Sequence, residues 1–469
     1  MSIVRPPGPK NAVFGLSQLG AMRRDFLTYM TDAQRTYGDI AHLRLGAEHE
    51  YLIFHPDQAR EVLVEKAASF IRFERQMEIF GKVHGQSVLV TEGETWQCQR
   101  RMLLPAFSPK NFPSYTQQIV KAADAALRGL PGDADSQVDF EHLMNMLTME
   151  AIMRTMFSTA SGKENAEAEY AIRELSRIGY DEMFMPALLP DWLPLPGKIH
   201  KRRCIKILDD IIWRCIEERR RKGIASNDLL DQLLQADDAE GKGSKLSDRE
   251  IRDQCMTIFL AGHDTTAAGL TWAGWCLASH PDIAARATKE VDEVLGDRLP
   301  TYADLPRLSY ITQVVKEALR LYPPAIGTFL RRAVEDVTIG SWKIPKGSLV
   351  AVLTFVIQRD PRWYPDPLKF DPDRFNDERS KSILRGAFIP FGTGPRVCIG
   401  NNVAMMEMTL IVAMLLQRFV LTPADRQNNP TPKFAVTLRP TEGMRLIMKA
   451  RDLSREPSRS VHPVFAPSV

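Results

Sequence analysis

The sequence is poor in long apolar runs, in clustered cysteines and in excess charge of one sign. No stretch reaches the roughly 20 apolar residues that a membrane-spanning helix requires, and residues 1–20 carry prolines and basic residues, so we expect no transmembrane anchor. The six cysteines are scattered and include no C-x-x-C pair, which argues against a disulfide framework or a zinc cluster and favours a reducing, cytoplasmic setting. Because 61 basic residues are spread against 58 acidic ones, we expect no binding to nucleic acid.

The length leaves the number of domains open, since 469 residues suit either one large core or two modest ones. We find no repeat, no low-complexity tract and no candidate linker. We therefore expect a single domain over residues 1–450, followed by a polar, flexible tail over residues 451–469. Loops are expected at residues 131–136, 183–197 and 237–245.

Hydrophobic periodicity predicts a mainly α fold with a minor β region. A long helix is expected over residues 248–279, because Ser247 and Glu250 form a capping-box pattern before it and a His-Pro pair follows it. At about 1.5 Å per residue this helix is ~48 Å long and can cross the domain. Two further helices are predicted at residues 205–221 and 311–321, and strand-like segments at residues 41–45, 51–54, 337–344, 348–354 and 443–448.

Cys398 lies in the segment Phe391-Gly-Thr-Gly-Pro-Arg-Val-Cys-Ile-Gly400, directly before an apolar helical pattern over residues 401–416. The glycines keep side chains away from a flat ligand, and Pro395 stiffens the loop. Free N–H groups and the helix dipole at the start of that helix favour a thiolate. A lone cysteine is more often a small buried residue, but the three glycines, the proline and the arginine around this one favour metal ligation.

The segment Ala261-Gly-His-Asp-Thr-Thr266 lies in the middle of the long helical pattern. Gly262 weakens the helix and Thr265 can donate to the carbonyl one turn back, so a local distortion is expected. An acid beside an alcohol at such a place can relay protons from solvent, which makes Asp264 and Thr265 candidate catalytic residues. Taken alone, the segment is better explained by a threonine bonded to its own helix and an aspartate paired with a distant cation. His263 is expected to be structural, because the register turns it elsewhere.

Together these motifs resemble the cytochrome P-450 family. Phe391, Gly394, Arg396, Cys398 and Gly400 match the Phe-x-x-Gly-x-Arg-x-Cys-x-Gly pattern of its haem-ligand loop. The resemblance implies a cytochrome P-450 fold, with haem b between a long distal helix and the proximal Cys-loop helix, and Cys398 as the metal ligand. Thiolate ligation favours cleavage of the O–O bond over the oxygen carriage that a histidine ligand supports, so oxidation chemistry is implied.

The other motifs follow in the family's order along the chain. The long-helix segment resembles the family's Ala/Gly-Gly-x-Asp/Glu-Thr-Thr pattern, which implies Asp264 and Thr265 as its proton-relay pair. Glu317 and Arg320 resemble the family's Glu-x-x-Arg pair. Arg374 joins them from a Pro-Asp-Arg-Phe segment, in which an aspartate replaces the family's glutamate. The implied role of these last three residues is structural, and a buried network of this kind is costly to break.

The resemblance also implies a set of contacts to haem. Arg100, Arg331 and Arg396 are implied to contact the haem propionates, because the planar guanidinium of arginine can form two parallel hydrogen bonds to a carboxylate. For Arg100 the alternative is an exposed charge on a helix, and Arg332 is the alternative to Arg331. The implied cofactor-binding residues are Trp96, Arg100, Arg331, Phe391, Arg396, Cys398 and Gly400.

By position, the resemblance implies an apolar substrate pocket drawn from several segments. Residues 184–193 are consistent with a flexible mouth for a lipophilic substrate and equally with an ordinary packed loop. Arg72 is expected at the surface rather than against a substrate carboxylate. The candidate pocket residues are Phe259, Ala261, Ala325, Ile326, Val436 and Thr437.

The resemblance implies a monooxygenase that inserts one oxygen atom from O2 into a lipophilic molecule, by hydroxylation or epoxidation of a fatty-acid-, terpenoid- or steroid-like substrate. We expect no flavin or iron–sulfur domain in this chain, so electrons would come from a separate ferredoxin, flavodoxin or flavoprotein reductase. The alternatives are a peroxide-driven or non-oxygenating haem-thiolate enzyme and a non-enzymatic haem sensor. Pro6-Pro-Gly-Pro9 resembles the hinge of anchored microsomal members, and a bacterial-type member is favoured over a chain from which an anchor has been removed.

Overall fold

The structure is a computed structural model that describes residues 4–10, 15–130, 136–159, 164–185, 187–223, 228–236, 245–425, 427 and 429–451. Most of the loops predicted at residues 131–136 and 237–245, and nearly all of the tail predicted at residues 451–469, lie outside the described residues.

Helices dominate the described part of the chain, in agreement with the predicted fold class. The helices predicted at residues 205–221, 311–321 and 401–416 fall within helices Pro196–Lys222, Ser309–Leu321 and Asn401–Arg418 of the structure. The α-helices of the described residues are α1 (Leu16–Arg24), α2 (Phe26–Tyr37), α3 (Pro56–Arg60), α4 (Glu74–His84), α5 (Gly93–Leu103), α6 (Phe112–Arg128), α7 (Phe140–Phe157), α8 (Glu164–Met183), α9 (Pro196–Lys222), α10 (Leu229–Gln235), α11 (Asp248–Ser279), α12 (Pro281–Leu295), α13 (Ser309–Leu321), α14 (Thr354–Ile357) and α15 (Asn401–Arg418).

The β region is small and built from short strands. Each predicted strand segment overlaps a strand of the structure, and the segment at residues 337–344 is divided into two. The strands are β1 (Ile40–Leu45), β2 (Glu48–Ile53), β3 (Phe70–Arg72), β4 (Gln137–Asp139), β5 (Arg331–Ala333), β6 (Val337–Ile339), β7 (Trp342–Ile344), β8 (Leu349–Val352), β9 (Phe419–Pro423), β10 (Pro432–Phe434), β11 (Leu438–Pro440) and β12 (Arg445–Ala450).

The largest sheet has five strands in the order β1-β2-β8-β5-β3, in which β2 and β8 are parallel and the other neighbours are antiparallel. Strands β4, β12 and β9 form a three-stranded antiparallel sheet, and β6-β7 and β10-β11 are two-stranded. In the large sheet, Arg72 of β3 is paired in register with Arg331 of β5. Strand pairing therefore brings together two arginines that lie far apart in the sequence.

Helix α11 has the predicted bounds and the predicted N-terminal cap. The hydroxyl oxygen of Ser247 accepts the N–H of Glu250, and the carboxylate of Glu250 accepts the N–H of Ser247 at 2.8 Å. The helix continues without interruption through Gly262, where the sequence predicts a local distortion. Thr265 does donate to the carbonyl of Ala261 at 2.7 Å, but this extra hydrogen bond is accommodated without a break in the helix.

Helix α11 packs against α7, α13 and α15 and so lies at the centre of the helical body. Trp272 on α11 is fully buried and stacks on Tyr322, with ring centroids 4.1 Å apart, and its indole N–H donates to the carbonyl of Leu438 at 2.9 Å. Phe140 of α7 lies so close to Gly274 that no side chain fits there. This tight packing holds α11 in place where its middle turns border a large cavity.

Candidate active site

A cavity of about 900 Å³ lies between α11, the large sheet and the loop that precedes α15. This volume is at the upper end of the range usual for small-molecule sites. Its lining is mostly apolar, and it includes Cys398 from the loop together with Ala261 and Thr265 from α11. The cysteine and the acid–alcohol segment, which the sequence placed in separate motifs, therefore share one cavity.

Backbone geometry explains the glycines of the cysteine loop. Gly392 and Gly394 have positive φ values of 69° and 76°, and a Cβ on Gly394 would collide with the backbone carbonyl of Leu63. The N–H of Cys398 donates to the carbonyl of Phe391 at 3.0 Å, which closes the loop on itself. Gly400 then caps the start of α15. The loop thus fixes the cysteine just before the helix N-terminus, as the sequence predicted.

The sulfur of Cys398 is accessible from the cavity although protein surrounds the residue. Burial raises the pKa of this thiol, whereas the backbone N–H of Gly400 and the positive charge of Arg100 act in the opposite direction. The guanidinium of Arg100 also donates to the carbonyl of Val397 at 2.9 Å, so it is held beside the loop. A metal cation at the sulfur would favour the thiolate further, because thiolate is the form that binds metal.

Three arginines and one carboxylate meet at one edge of the cavity. Glu92 accepts a hydrogen bond from the Nε of Arg72 at 2.7 Å and also pairs with Arg396. Arg331 lines the cavity beside them, and none of the described hydrogen bonds involves its guanidinium. Three guanidinium groups against one carboxylate leave two uncompensated positive charges. Arg72 is only 5% exposed, so the expectation that it lies at the surface was wrong; pairing of β3 with β5 buries it.

The excess positive charge at this edge is costly without a bound anion. Burial, followed by the repulsion of Arg72, lowers the pKa of Arg331 to about 10 and that of Arg396 to about 9. The guanidinium carbon of Arg396 lies 3.7 Å from the ring centroid of Trp96, and that of Arg100 lies 5.9 Å from it. The guanidiniums of Arg331 and Arg396 remain charged near neutral pH, so this edge of the cavity suits a ligand with two anionic groups.

Arg332 differs from its neighbour Arg331 in having its charge already compensated. It forms two hydrogen bonds to Glu48, at 3.0 and 3.1 Å, and its Nε bonds Glu74 at 2.7 Å. The alternation of a strand turns the two adjacent arginines to opposite faces of the sheet. Of the pair, Arg331 is the one that borders the cavity.

Asp264 is buried and held by two partners. One carboxylate oxygen accepts the hydroxyl of Thr437 at 2.8 Å, and the other is paired with the guanidinium of Arg439. Arg439 also bonds Glu141 of α7 at 2.8 Å, so one cation bridges two acids. Burial raises the pKa of Asp264, but the charge of Arg439 and the Thr437 hydroxyl outweigh it and hold the pKa below its usual range. Asp264 is therefore ionised, and the sequence-based alternative of an aspartate paired with a distant cation is present in the structure.

His263 lies on the other side of α11, as the register predicted. It is 1% exposed, and its Nε2 donates to the carbonyl of Asn145 at 3.0 Å. Burial lowers its pKa, so the ring is neutral. His263 is absent from the lining of the cavity, which agrees with a structural role.

Glu317 and Arg320 form a fully buried ion pair, at 2.7 and 2.8 Å, behind the cysteine loop. Arg374 bonds the same carboxylate at 3.3 Å, and the N–H of Asp371 donates to it at 3.0 Å. The guanidinium of Arg320 is also bonded to the carbonyl of Gln358 at 2.8 Å. The three predicted members thus meet, and the network fastens α13 to the segment that leads into the loop.

The predicted substrate residues are near the cavity with one exception. Phe259 is fully buried against Phe157, with ring centroids 6.3 Å apart, and does not line the cavity, because its helical position points towards α7. This prediction was wrong. The cavity is lined by the other five predicted residues, Ala261, Ala325, Ile326, Val436 and Thr437.

Sequence reasoning missed Glu92 and Arg439 as members of the site. Glu92 is a single acid at the start of α5, and Arg439 lies in a short strand near the end of the chain. Neither carries a local motif, so only the fold shows that they contact the arginine edge and Asp264.

One thiol facing an apolar cavity, together with an edge that suits two anionic groups, is the arrangement that a haem-thiolate protein requires. The chain belongs to the cytochrome P450 family, whose family model matches residues 6–448. Cyclooctat-9-en-7-ol 5-monooxygenase of Streptomyces melanosporofaciens is 36% identical over 82% of this chain and 83% of its own length. Pentalenene oxygenase of Streptomyces avermitilis is 32% identical over 92% of this chain and 94% of its own length. Human cytochrome P450 4F8 is 35% identical over 77% of this chain and 73% of its own length.

Membership of this family makes the chain an oxidoreductase that incorporates molecular oxygen, with haem as its cofactor. The residues present fit haem, since the cavity offers one cysteine thiol and two uncompensated positive charges, and haem carries an iron and two propionates. Within the described residues, no helix has both the length and the apolar character needed to cross a bilayer.

Proposed function

We propose that this protein inserts one atom of O2 into a lipophilic substrate, by hydroxylation or epoxidation of a fatty-acid-, terpenoid- or steroid-like molecule. The observation that carries the proposal is a single, largely apolar cavity whose lining contains both the thiol of Cys398 and the hydroxyl of Thr265. Two of the Streptomyces relatives, named as oxygenases of cyclooctat-9-en-7-ol and pentalenene, support this type of chemistry.

In this proposal the cofactor is haem b and Cys398 is its metal ligand. Haem with a thiolate ligand supplies the electron density that favours cleavage of the O–O bond. Arg100, Arg331 and Arg396 hold the haem carboxylates, and the excess of positive charge at the arginine edge supports that role. Trp96 stacks below Arg396 and restrains it, while Phe391 and Gly400 shape the loop around the sulfur.

We further propose Asp264 and Thr265 as the residues that deliver protons to the cavity. The hydroxyl of Thr265 lies at the cavity surface, and its own proton is donated to the carbonyl of Ala261. Asp264 is ionised and can accept a proton from the solvent side once it exchanges one of its two partners, Thr437 or Arg439, for a protonated donor. Arg439 keeps this acid charged between such exchanges.

We also propose where the protein is located in the cell and which kind of protein supplies its electrons. We place the protein in the cytoplasm, because none of its six cysteines takes part in a disulfide in the described part of the chain. Residues 1–450 would act as a single catalytic domain, and electrons would come from a separate ferredoxin, flavodoxin or flavoprotein reductase.

The iron-ligand assignment is tested by the spectrum of the ferrous–CO complex. The wild-type protein should show the red-shifted band of thiolate ligation, and Cys398→Ala should lose it. Persistence of the band in that variant would refute the assignment of Cys398.

The proton-delivery role is tested by comparing two threonines on α11. Thr265→Ala should retain haem but divert electrons from product into hydrogen peroxide. Thr271 is the matched control, because it makes the same contact one turn back, to Ala267 at 2.8 Å, but is buried outside the cavity. Equal coupling of product to electrons in the wild type and in Thr265→Ala would refute the role, and efficient turnover with hydrogen peroxide alone would favour a peroxide-driven enzyme.

A further inference from the structure

Glu50 is a buried acid in the wall of the same cavity, outside the site described so far. It lies in β2, is 5% exposed and lines the cavity. Its strand neighbours are Leu43 on β1 and Leu349 on β8, both buried. Leu349 also lines the cavity, as does Met30 of α2. The carboxylate of Glu50 is therefore flanked by apolar side chains and faces the cavity, and the polar groups that it affects or is affected by are the phenol of Tyr29 and the carboxylate of Glu48.

No counter-charge reaches Glu50 among the described residues, where its carboxylate takes part in no hydrogen bond or ion pair. Arg332 is paired with Leu349 in register, so it lies on the face of the sheet that carries Glu50, opposite the face that carries Arg331; the cavity borders residues of both faces. The guanidinium of Arg332, however, is taken by Glu48 and Glu74 and by the carbonyl of Gly347. Burial, with a smaller contribution from the charge of Glu48, raises the pKa of Glu50 to about 7.

An acid in this position weakens the fold. A buried polar group without a partner loses its hydration and gains no hydrogen bond in return. Residues that cost stability and make no structural contact are typical of functional sites. The position of Glu50 in a cavity wall gives it access to a ligand that enters the cavity.

We propose that Glu50 is a specificity-determining residue that binds a hydroxyl group of the substrate. The inference rests on the proposed function and narrows it, because the substrate is then a lipophilic molecule that already carries a hydroxyl group before this enzyme acts. A carboxyl group with a pKa near neutrality can accept from a hydroxyl when ionised and donate to it when protonated. A lipophilic amine suits the place less well, since its own charge would have to be desolvated.

Three ligands of the same carbon skeleton test the proposal on the haem-loaded protein. They are geranylgeraniol, its methyl ether and the corresponding primary amine, with affinities measured by titration calorimetry. At about pH 9, where Glu50 is ionised and can only accept, the alcohol should bind about tenfold more tightly than the ether, because the ether has no proton to donate to the carboxylate. Equal affinities for the alcohol and ether, no binding of the alcohol, or tighter binding of the amine would each overturn the proposal.

Variants of Glu50 provide the second arm. Glu50→Leu should abolish the preference for the alcohol over the ether, and Glu50→Gln should retain part of it. Glu78→Gln is the control, since Glu78 is an exposed acid of α4 that does not line the cavity. A preference for the alcohol that survives in Glu50→Leu would refute the role of Glu50.

Thermal unfolding separates a ligand-binding role from a structural one. Glu50→Leu should raise Tm by about 2 °C, because an unpaired buried acid is replaced by an apolar side chain. A lower Tm would mean that the carboxylate stabilises the fold, and the proposal would be wrong. The ferrous–CO spectrum keeps the two hypotheses apart: equal binding of alcohol and ether with the red-shifted band intact overturns the Glu50 proposal alone, whereas absence of the band overturns the proposed function.

Discussion

Replacing Arg439 by methionine tests how much the positive charge of this arginine stabilises the two acids that it contacts. Arg439 bridges Asp264 of α11 and Glu141 of α7, and its Nε lies 3.2 Å from the hydroxyl of Thr437. Methionine preserves much of the side-chain volume but removes the charge and every donor. The variant Arg439→Met therefore leaves two acids in the interior without their common cation.

We expect Arg439→Met to lower the free energy of unfolding by about 3–5 kcal/mol at pH 7, the usual cost of stranding a buried charge. The sign of its pH dependence follows from Asp264, whose pKa is held below its usual range in the folded protein. Such a group contributes stability above its unfolded pKa of about 4, and that contribution is lost as the pH falls through the folded value. The difference between variant and wild type should therefore be large at neutral pH and should shrink as the pH falls below about 4.

Urea unfolding of the two proteins at several pH values measures this difference. Arg128→Met is the control, because Arg128 is 71% exposed and its pair with Asp124 should contribute no more than about 1 kcal/mol. Adding Asp264→Asn to Arg439→Met should recover part of the loss, since one of the two stranded acids is then neutral. A loss no greater than that of the control, or a loss that is independent of pH, would refute the reasoning.

Three further substitutions have clear expected outcomes. Glu317→Gln should lower the free energy of unfolding by about 3–5 kcal/mol in urea, since it leaves two arginines without their anion, and a loss below 1 kcal/mol would contradict the role of the network. Gly394→Ala should abolish haem incorporation, measured by absorbance, because its Cβ would meet the backbone of Leu63. Gly392→Ala has open space around its Cβ, so it should retain haem and lower the free energy of unfolding by only about 1–2 kcal/mol. Equal haem incorporation in the two variants would contradict the steric argument. Arg331→Met should speed the transfer of haem to apomyoglobin and Arg332→Met should not, because the latter arginine is already paired; equal rates would contradict the assignment.

Local chemistry explains which parts of the fold were predictable from the sequence. The bounds of α11 were correct because both its ends carry short-range signals, the capping box at Ser247 and the proline after His280. The cysteine loop and the Glu317–Arg320 pair were found for a similar reason, since each is a pattern within one segment. The cysteine loop and the middle of α11 border one cavity, which agrees with what the family resemblance implied.

The rest depends on contacts between distant segments. Arg72 was expected at the surface, because nothing near it in the sequence shows that β3 pairs with β5 and buries it against Glu92. Phe259 was expected in the pocket, although a shift of one or two positions along a helix is enough to turn a side chain from a cavity into the core. The pairing of Asp264 with Arg439 spans 175 residues and has no local signature.

The way α11 borders the cavity has a consequence for how substrate range can change. Ile258, Ala261 and Thr265 recur at helical spacing along the cavity side, while Phe259 and His263 between them are packed into the interior. Replacement of Ala261 by larger apolar residues would reshape the space open to a substrate and leave the interior contacts intact. Natural variation can therefore alter selectivity on one stripe of this helix, while the adjacent stripe tolerates little change because it supports the fold.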